Sequence, residues 1–421
     1  MSPALFLWCI FADATMLAEL DYCARVPRGA LCRVDAGRSY AAGVPAVARA
    51  HERVAFFVET MSAGGRCASG GATLHVALRG SLSAPIVATV SDLFNGTYAV
   101  YATLGPPDVY AVEATLFLDA CQATIHCDPA ATKLALARLT GRPPPRIKAT
   151  APSPRGPSPS SGGWWQVVPR EARVGLLAKG SPFSWQPAPR INRGFLESRL
   201  RGKWVHFISD SMSRNLVSDV ARLLRGAALA NGTAELTHRC DCKVHPDLRF
   251  ANLGLRLTQQ CADLGFDART ATFDAAAHLR CAPPPAGGGA PDVVVFNKGL
   301  HDVANVGGAA YARALGRYAA TVGACLAAFA LLDPLPQLLW WHTLPTHFHR
   351  PQPPASWQCR TVPRVAALNE VADALVKKSA WRSLDWTPVV AACGDCTRDN
   401  RHYTHGNCGV TMAALLVNAI T

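Results

Sequence analysis

The sequence lacks any apolar run of the roughly 18–20 residues that a helix needs to cross a lipid bilayer. The best candidate, residues 321–332, stops at Asp333 and Pro334 and is predicted to be a buried core helix. Acidic residues are also scarce, with 29 against 42 Lys and Arg, which gives a net charge of +13. That excess favours acidic partners. It is spread along the chain without a long basic block, so it gives little support for nucleic-acid binding.

Cysteine, in contrast, is abundant, with 15 among 421 residues. Such a content is high for a cytosolic enzyme and typical of secretory-pathway proteins with disulfides. N-glycosylation sequons at Asn95 and Asn231 agree with that compartment. We therefore expect the secretory pathway, in the Golgi lumen or outside the cell. The apolar residues 1–19 are either the remnant of a signal or anchor or a first buried strand, so membrane anchoring is left open.

Composition divides the chain into two domains. Residues 141–163 are rich in Pro, Ser and Gly, which cannot build a core and favour an extended linker. Residues 20–140 contain short β-branched and aromatic runs separated by Gly, Pro, Asn and Ser, a pattern that favours an all-β sandwich. These runs are 54–59, 72–78, 97–103 and 108–118. Residues 164–421 form the second domain.

The sandwich prediction is accompanied by a family resemblance. Asp92, Gly96 and Tyr98 form an Asp-x-x-x-Gly-x-Tyr pattern that leads into the third of these runs. The pattern resembles the late strands of immunoglobulin-like domains of the filamin type. The resemblance implies a scaffold or glycan-contacting role, and no residue of this domain is a catalytic candidate.

The second domain has the pattern of an α/β fold. Residues 203–208, 292–296 and 337–341 are apolar runs of strand length, whereas residues 365–377 and 409–420 show helical periodicity. Strands that alternate with helices indicate a parallel sheet with helices on both faces. Such sheets bind ligands at the carboxyl ends of their strands. Candidate catalytic residues are therefore sought directly after strands.

A candidate nucleophile follows the first of these strands. Ser209, Asp210 and Ser211 form the turn between that strand and a helix whose apolar residues fall on one face. A serine at this place has an exposed hydroxyl, and the N–H groups that begin the helix point toward an oxyanion. The alternative is ordinary helix capping, because Asp and Ser are favoured N-cap residues.

The residues around this turn resemble a known family. Residues 195–197 and 200–215 read FLE and LRGKWVHFISDSMSRN. They are similar to the FLE…LRGK…FVGDSLSRN block of the plant trichome-birefringence-like and PC-esterase group, part of the SGNH/GDSL superfamily. The resemblance implies a three-layer, flavodoxin-like SGNH-hydrolase fold with Ser211 as the nucleophile. It departs at Ser209, where the family has a Gly that eases the turn.

A serine nucleophile needs a base to take its proton. Asp399 and His402 stand three residues apart, so the carboxylate can reach one imidazole nitrogen while the other faces Ser211. The sequence Asp-x-x-His-Tyr before a C-terminal helix is similar to the PC-esterase ending. His405 is the rival base. A zinc site is the alternative, and its ligands would be Cys393, Cys396, Cys408 and one of the two histidines.

Further candidates surround the nucleophile. The run VFNKG resembles the third SGNH block, which implies that Asn297 offers its side-chain amide and Gly299 its backbone N–H to the oxyanion. A turn or N-cap role is the alternative for Asn297. Asp210 and Arg214 are support candidates beside Ser211, with helix capping and surface cover as their alternatives.

Candidate substrate contacts lie in residues 339–349, LWWHTLPTHFH, which are similar to the family's FRT-x-SP-x-HF segment. Within them we select His347 and Trp341, because aromatic rings beside polar groups suit stacking on sugars. An aromatic core is the alternative for Trp341. For the second SGNH block, normally a Gly, the candidate is residues 252–254.

In layout the chain is similar to the neurexophilin-and-PC-esterase type. The resemblance implies a carbohydrate O-acyltransferase or esterase that works through an acyl-enzyme, with O-acetyl transfer favoured over hydrolysis. We expect that no cofactor is bound and that the co-substrate is acetyl-CoA or an acyl ester. The expected partner is a glycan, which includes acidic glycans, and not nucleic acid. The alternative is a catalytically silent glycan-binding or adhesion module on the same fold. A zinc-stabilised nucleic-acid-binding protein is the third hypothesis.

Overall fold

The computed structural model contains several sheets and helices, which confirms the coarse expectation of a chain with both α and β structure. It describes residues 15–81, 85–119, 121–122, 137–151, 164–167, 183–186, 193–209, 211–225, 247–261, 266–267, 272–273, 289–299, 308–344, 361–391, 403 and 407–421. Within these ranges no helix is long and apolar enough to cross a bilayer.

Two sheets of the N-terminal half pack face to face. The strands are β1 (Tyr40–Ala42), β2 (Val47–Arg49), β3 (Arg53–Glu59), β4 (Met61–Ser62), β5 (Gly65–Arg66), β6 (Thr73–Arg79), β7 (Ile86–Val87), β8 (Thr89–Asp92), β9 (Thr97–Thr103), β10 (Val109–Leu118), β11 (Ala137–Arg138) and β12 (Arg146–Thr150). One sheet has the order β1-β3-β9-β8 and the other β2-β12-β10-β6-β7, with β11 also paired to β10, whereas β4 and β5 form a separate two-stranded sheet. Because side chains alternate along each strand, the inward residues of both sheets meet in one core.

The sandwich continues into the range predicted as linker. β12 lies within residues 141–163, pairs with β10 and buries Ile147 and Ala149 in the sandwich core. The boundary near residue 140 is therefore corrected to at least residue 150. The run RIKAT alternates as a strand should, but the Pro-rich residues around it dominate the composition of the segment.

A helix before the sandwich, α1 (Thr15–Arg25), connects the two halves of the molecule. Its Cys23 forms a disulfide with Cys121, which follows β10. The same cysteine lies in a hydrophobic core together with strands and helices of the second domain. Residues 15–19, the end of the predicted signal or anchor segment, are thus helical. A buried strand was the alternative for that segment, and none of these five residues belongs to a strand.

The second domain has one six-stranded sheet, and its elements follow in chain order. They are β13 (Trp164–Val167), β14 (Phe183–Gln186), α2 (Arg193–Leu200), β15 (Trp204–Ser209), α3 (Ser211–Arg225), β16 (Asp247–Phe250), β17 (Leu255–Cys261), β18 (Phe266–Asp267), β19 (Thr272–Phe273), β20 (Val293–Phe296), α4 (Gly308–Phe329), β21 (Gln337–Trp341), α5 (Val362–Val376), β22 (Arg382–Leu384), α6 (Thr387–Ala391) and α7 (Asn407–Ala419). The sheet has the order β16-β17-β15-β20-β21-β22. Its pairs are parallel except β16–β17, whereas β13–β14 and β18–β19 form separate two-stranded sheets.

A hydrophobic core lies on each face of this sheet. Alternate residues of β20 enter different cores, Val293 and Val295 one of them and Val294 and Phe296 the other. The first core also contains apolar residues of α3 and α7, and the second contains those of α4 and α5. Burial on both faces explains why these strands are continuous apolar runs without alternation.

Candidate functional site

Ser211 is the first residue of α3, and β15 ends two residues before it at Ser209. β15 is buried at every residue and lies between the parallel strands β17 and β20. The turn therefore lies at the carboxyl end of an interior strand, where the first N–H groups of α3 are directed at the same edge. Of Ser211 and Arg214 the structure describes the backbone alone, and Asp210 lies outside the described residues.

Packing holds the start of α3 against the sheet. The apolar residues that predicted one helix face are all buried, which confirms that prediction; they are Leu216, Val217, Val220, Leu223 and Leu224. In the first turn, the Gln259 side chain on β17 donates a hydrogen bond to Ser213 Oγ at 2.8 Å, and both side chains are buried. The first turn of α3, which begins at Ser211, is thus tied to β17.

A buried polar network continues from Ser209 along the carboxyl ends of the strands. Ser209 Oγ donates to Asn297 Oδ1 at 3.2 Å, and Asn297 follows β20 directly. The Asn297 amide nitrogen donates to the Trp341 carbonyl at 2.7 Å and to Thr343 Oγ1 at 3.2 Å. Both amide hydrogens of Asn297 are therefore used inside the protein. To bind an oxyanion with its side chain, Asn297 would have to exchange one of these bonds.

Thr343 connects this network to Gly299 and to α5. Its hydroxyl donates to the Lys298 carbonyl at 3.1 Å, and its backbone N–H donates to Asn369 Oδ1 at 2.8 Å. A Cβ added at Gly299 would overlap Thr343 Oγ1 and would lie 3.1 Å from Thr343 Cβ. Only glycine leaves room for this close approach. The residues that follow β20 therefore pack tightly against Thr343, which follows β21, at the edge where Ser211 begins α3.

The C-terminal helix α7 packs in the same core as α3. The Ala419 carbonyl accepts a hydrogen bond from the side chain of Gln337, which begins β21, so α7 ends at the amino edge of the sheet. Near its start, Gly409 lies against Asp219 of α3. α7 therefore runs in the same direction as α3, away from the carboxyl edge. Tyr403, just before α7, is buried in the core that α3 also joins.

The predicted base and its carboxylate are not among the described residues. Asp399, His402 and the rival His405 fall in the gaps on either side of residue 403. The distance from Ser211 to His402 therefore stays a prediction. A short distance between them is favoured by the parallel direction of α3 and α7, which places the residues before each helix toward the same edge of the sheet.

A second Ser-His-Asp group, which the sequence analysis did not select, lies two strands away. His342 follows β21, and its Nε2 is 2.8 Å from Ser383 Oγ on β22 and 2.8 Å from Asp373 Oδ1 on α5. Its Nδ1 is 3.3 Å from Asp385 Oδ1. Ser383 Oγ also donates to Asp373 at 2.8 Å. The distances from serine to imidazole to carboxylate are those of a catalytic triad.

Charge decides against catalysis by this group. Burial alone would lower the pKa of His342, but the hydrogen bonds and charges of Asp373 and Asp385 outweigh it and raise that pKa to about 9. His342 is therefore an imidazolium at neutral pH, and both of its nitrogens donate. It cannot accept the Ser383 proton, so we interpret the group as an ion cluster that attaches the edge strand β22 to α5.

Two sequence-based assignments are corrected by position. Trp341 was selected as a sugar contact, but it is 1% exposed and its ring lies 5.2 Å from that of Trp386 within the core. Gly254 of the guessed second block precedes β17, whose first residues pair with the start of β15. It thus lies at the amino edge, roughly 20 Å along the strands from Ser211. His347 lies outside the described residues.

The zinc alternative loses one of its ligands. Cys408 is disulfide-bonded, so its sulfur is not available as a thiolate. Cys393, Cys396 and the two candidate histidines lie outside the described residues. Together with the disulfides Cys23–Cys121 and Cys32–Cys67, this agrees with an oxidising compartment.

Comparisons with known proteins leave the family of this chain open. No family model and no curated protein matches it. Among solved structures it is similar to the Lin-41 filamin domain, with 13% identity and a TM-score of 0.20 over 28% of this chain and 98% of that one. It is also similar to a protein described as a GDSL-like lipase from Parabacteroides merdae ATCC 43184, with 12% identity and a TM-score of 0.32 over 52% of this chain and 97% of that one. These TM-scores are too low to decide the function.

Sequence reasoning missed several polar residues of this edge, and their signals were weak. Asn369 lies within a helical pattern, where it has the appearance of an exposed residue. His342 lies inside the LWWHTLP segment but was passed over because its partners Asp373 and Ser383 are distant in sequence. Ser209, which stands where the resembled family has Gly, donates a hydrogen bond to Asn297 through the hydroxyl that a glycine lacks.

Proposed function

We propose that the second domain is an SGNH-type serine acyltransferase or esterase that acts on O-acylated carbohydrate. The observation that carries the proposal is the start of α3 at Ser211, directly at the carboxyl end of an interior parallel strand. A serine hydroxyl at such a position would lie near the first N–H groups of the helix. The parallel order β17-β15-β20-β21-β22 supports the flavodoxin-like form of the fold.

In the proposed mechanism, His402 takes the proton of the Ser211 hydroxyl as its oxygen attacks the acyl carbonyl. Asp399 holds the imidazole in the right tautomer and stabilises the imidazolium. The intermediate then collapses, His402 protonates the leaving group, and the acyl group stays on Ser211. A sugar hydroxyl or water attacks this ester with His402 again as base, which gives transfer or hydrolysis.

The proposed oxyanion site consists mainly of backbone groups. The N–H of Ser211 begins α3, and Gly299 lies at the neighbouring strand end. Asn297 is the weaker donor in this arrangement, because its amide already bonds Trp341 and Thr343. We therefore assign Asn297 chiefly to positioning of the strand ends. Removal of one oxyanion donor typically costs about 10²–10³ in kcat.

The type of reaction, the acyl donor and the compartment are proposed from the family resemblance and from the composition. Transfer of an acetyl group to a sugar hydroxyl, from acetyl-CoA or an acyl ester, is favoured over hydrolysis by the similarity to the trichome-birefringence-like group. The disulfides agree with a secreted or lumenal protein, and we propose the Golgi lumen or the extracellular space.

The test is labelling of the purified protein with a fluorophosphonate, which reacts with activated serines. Wild type should be labelled. Ser211→Ala should not be labelled, and any esterase activity of wild type should fall by at least about 10³-fold in this variant. Ser383→Ala is the matched control, because Ser383 also contacts a histidine but one that is already protonated. Loss of the label in Ser383→Ala alone would move the active site to the His342 group and refute the proposal.

A catalytically silent glycan-binding module is the second candidate. It is favoured by the bond from Ser209 to Asn297, which fixes a residue that the family resemblance assigns to the oxyanion. A folded wild-type protein that is inert to the probe and that binds a glycan would establish this candidate instead.

A further inference from the structure

The sandwich domain has a cleft on the side of β10 that carries β11 and β12. The Leu139 N–H donates to the Ala114 carbonyl at 2.8 Å, and the Val112 N–H donates to the Pro145 carbonyl at 2.9 Å. Between these bonds residues 140–144 arch away from β10. The Thr140 and Gly141 N–H groups donate to the carbonyls of Ala36 and Ser39 instead, and the prolines that follow have no N–H to continue the ladder. The arch and β1 enclose about 320 Å³, which lies in the range of small-molecule sites.

Guanidinium groups surround this cleft. The Arg142 guanidinium lies 3.8 Å from the centre of the Tyr40 ring, which also lines the cleft. Glu113 is the carboxylate of the lining, and it is shared by two arginines. Arg79 Nε is 2.6 Å from Glu113 Oε2, and Arg138 contacts the other oxygen. Glu113 therefore neutralises only one of the two positive charges that it pairs with.

The positive charge continues across the outer face of the sheet. Ala111 on β10 is opposite Arg79 on β6 and opposite Arg146 on β12, so these two arginines flank a small residue on the same face. Their Cα atoms are roughly 10 Å apart, two strand spacings. Lys148 follows on β12 and is also exposed. On the described part of this face, four exposed cationic side chains thus lie near one another, and Arg142 lies at the cleft; of the five, Arg79 and Arg138 pair with Glu113. The four are Arg79, Arg138, Arg146 and Lys148.

We propose that this cleft and its basic face bind an acidic polysaccharide, a chain with carboxylate or sulfate groups on its sugars. The planar fork of arginine matches the paired oxygens of both groups. The Tyr40 ring lies against the Arg142 guanidinium and so holds this donor at the cleft. The two disulfides of the same domain favour an extracellular or lumenal polyanion over nucleic acid.

The proposal extends the proposed function but does not depend on it. A polymer held on the sandwich would keep its acylated sugars near the second domain, whereas binding itself needs no nucleophile. Ser211→Ala should therefore bind the polysaccharide as wild type does. A failure of the acyl chemistry and a failure of this binding site can thus be told apart.

The experiment measures retention of the full-length protein on immobilised dextran sulfate, polygalacturonate, neutral dextran and single-stranded DNA over a salt gradient. The test variant is Arg142→Glu with Arg146→Glu. The control is Arg53→Glu with Lys378→Glu, which changes the net charge equally at exposed sites away from this face. Arg142→Gln with Arg146→Gln is a milder variant, and thermal unfolding shows that each protein is folded.

We expect the test variant to bind the two acidic polysaccharides about tenfold more weakly, the Gln variant less so, and the control as wild type. Neutral dextran should not retain wild type. Equal loss in test and control variants would overturn the proposal, since it would indicate general charge attraction. Stronger retention on DNA than on either acidic polysaccharide would also overturn it in favour of a nucleic-acid partner.

Discussion

A buried carboxyl group between the two domains predicts an unusual pH dependence of stability. Glu19 of α1 is 6% exposed. Burial, together with the nearby carboxyl groups of Asp92 on β8 and Glu370 on α5, raises its pKa from 4.5 to about 8. Folded Glu19 is therefore protonated at neutral pH, whereas in the unfolded chain it is ionised above its usual pKa.

The sign and size of the effect follow from proton linkage. Because the folded state holds the proton more tightly, the Glu19 contribution is complete below pH 4.5 and is lost as the pH rises toward 8. Each pH unit in that window removes up to about 1.4 kcal/mol of the free energy of unfolding. The whole window corresponds to at most about 5 kcal/mol.

Glu19→Gln keeps the shape of the side chain and cannot ionise. At pH 8 we expect the variant to have a free energy of unfolding a few kcal/mol above that of wild type, with the difference vanishing near pH 4.5. Urea unfolding followed by circular dichroism at several pH values measures this difference directly. Glu52→Gln, at an exposed position, is the control and should follow wild type throughout.

Comparison of variant with wild type at each pH removes the contribution of titrating groups that do not interact with Glu19, whereas Asp92 and Glu370 titrate together with it. The reasoning is refuted if Glu19→Gln is less stable than wild type at pH 8, or if the two curves stay parallel from pH 4.5 to 8. Either result would mean that Glu19 is solvated or paired with a cation in the folded protein.

Two further predictions concern the carboxyl edge of the sheet. The raised pKa of His342 gives stability that is complete below pH 6.5 and is lost as the pH rises through about 9. His342→Gln should therefore lower the thermal unfolding midpoint at pH 6 and make little difference at pH 10; an equal loss at both would contradict the imidazolium. Gly299→Ala should cost about 1–3 kcal/mol in urea unfolding, because its methyl overlaps Thr343. Ala at the exposed Gly29 is its control, and equal stability of both variants would disprove the tight contact.

The predictions that held depend on local periodicity. The strands 203–208, 292–296 and 337–341 were identified because burial on both faces requires a continuous apolar run, and β15, β20 and β21 lie there. The apolar face of α3 follows from helical spacing in the same way. Both patterns lie within a short stretch of the chain. The sequence by itself therefore determined these elements and placed Ser211 between a strand and a helix.

Other features depend on which distant residues meet, and no local pattern records that. β12 joined the sandwich by pairing with β10, although its neighbours have the composition of a linker. The register of β17 against β15 put Gly254 at the amino edge, and the core around Trp386 enclosed Trp341. Only the tertiary structure brought Asp373, Ser383 and Asp385 to His342 and Asp92 and Glu370 to Glu19, because burial and charge act through space between elements far apart in the chain.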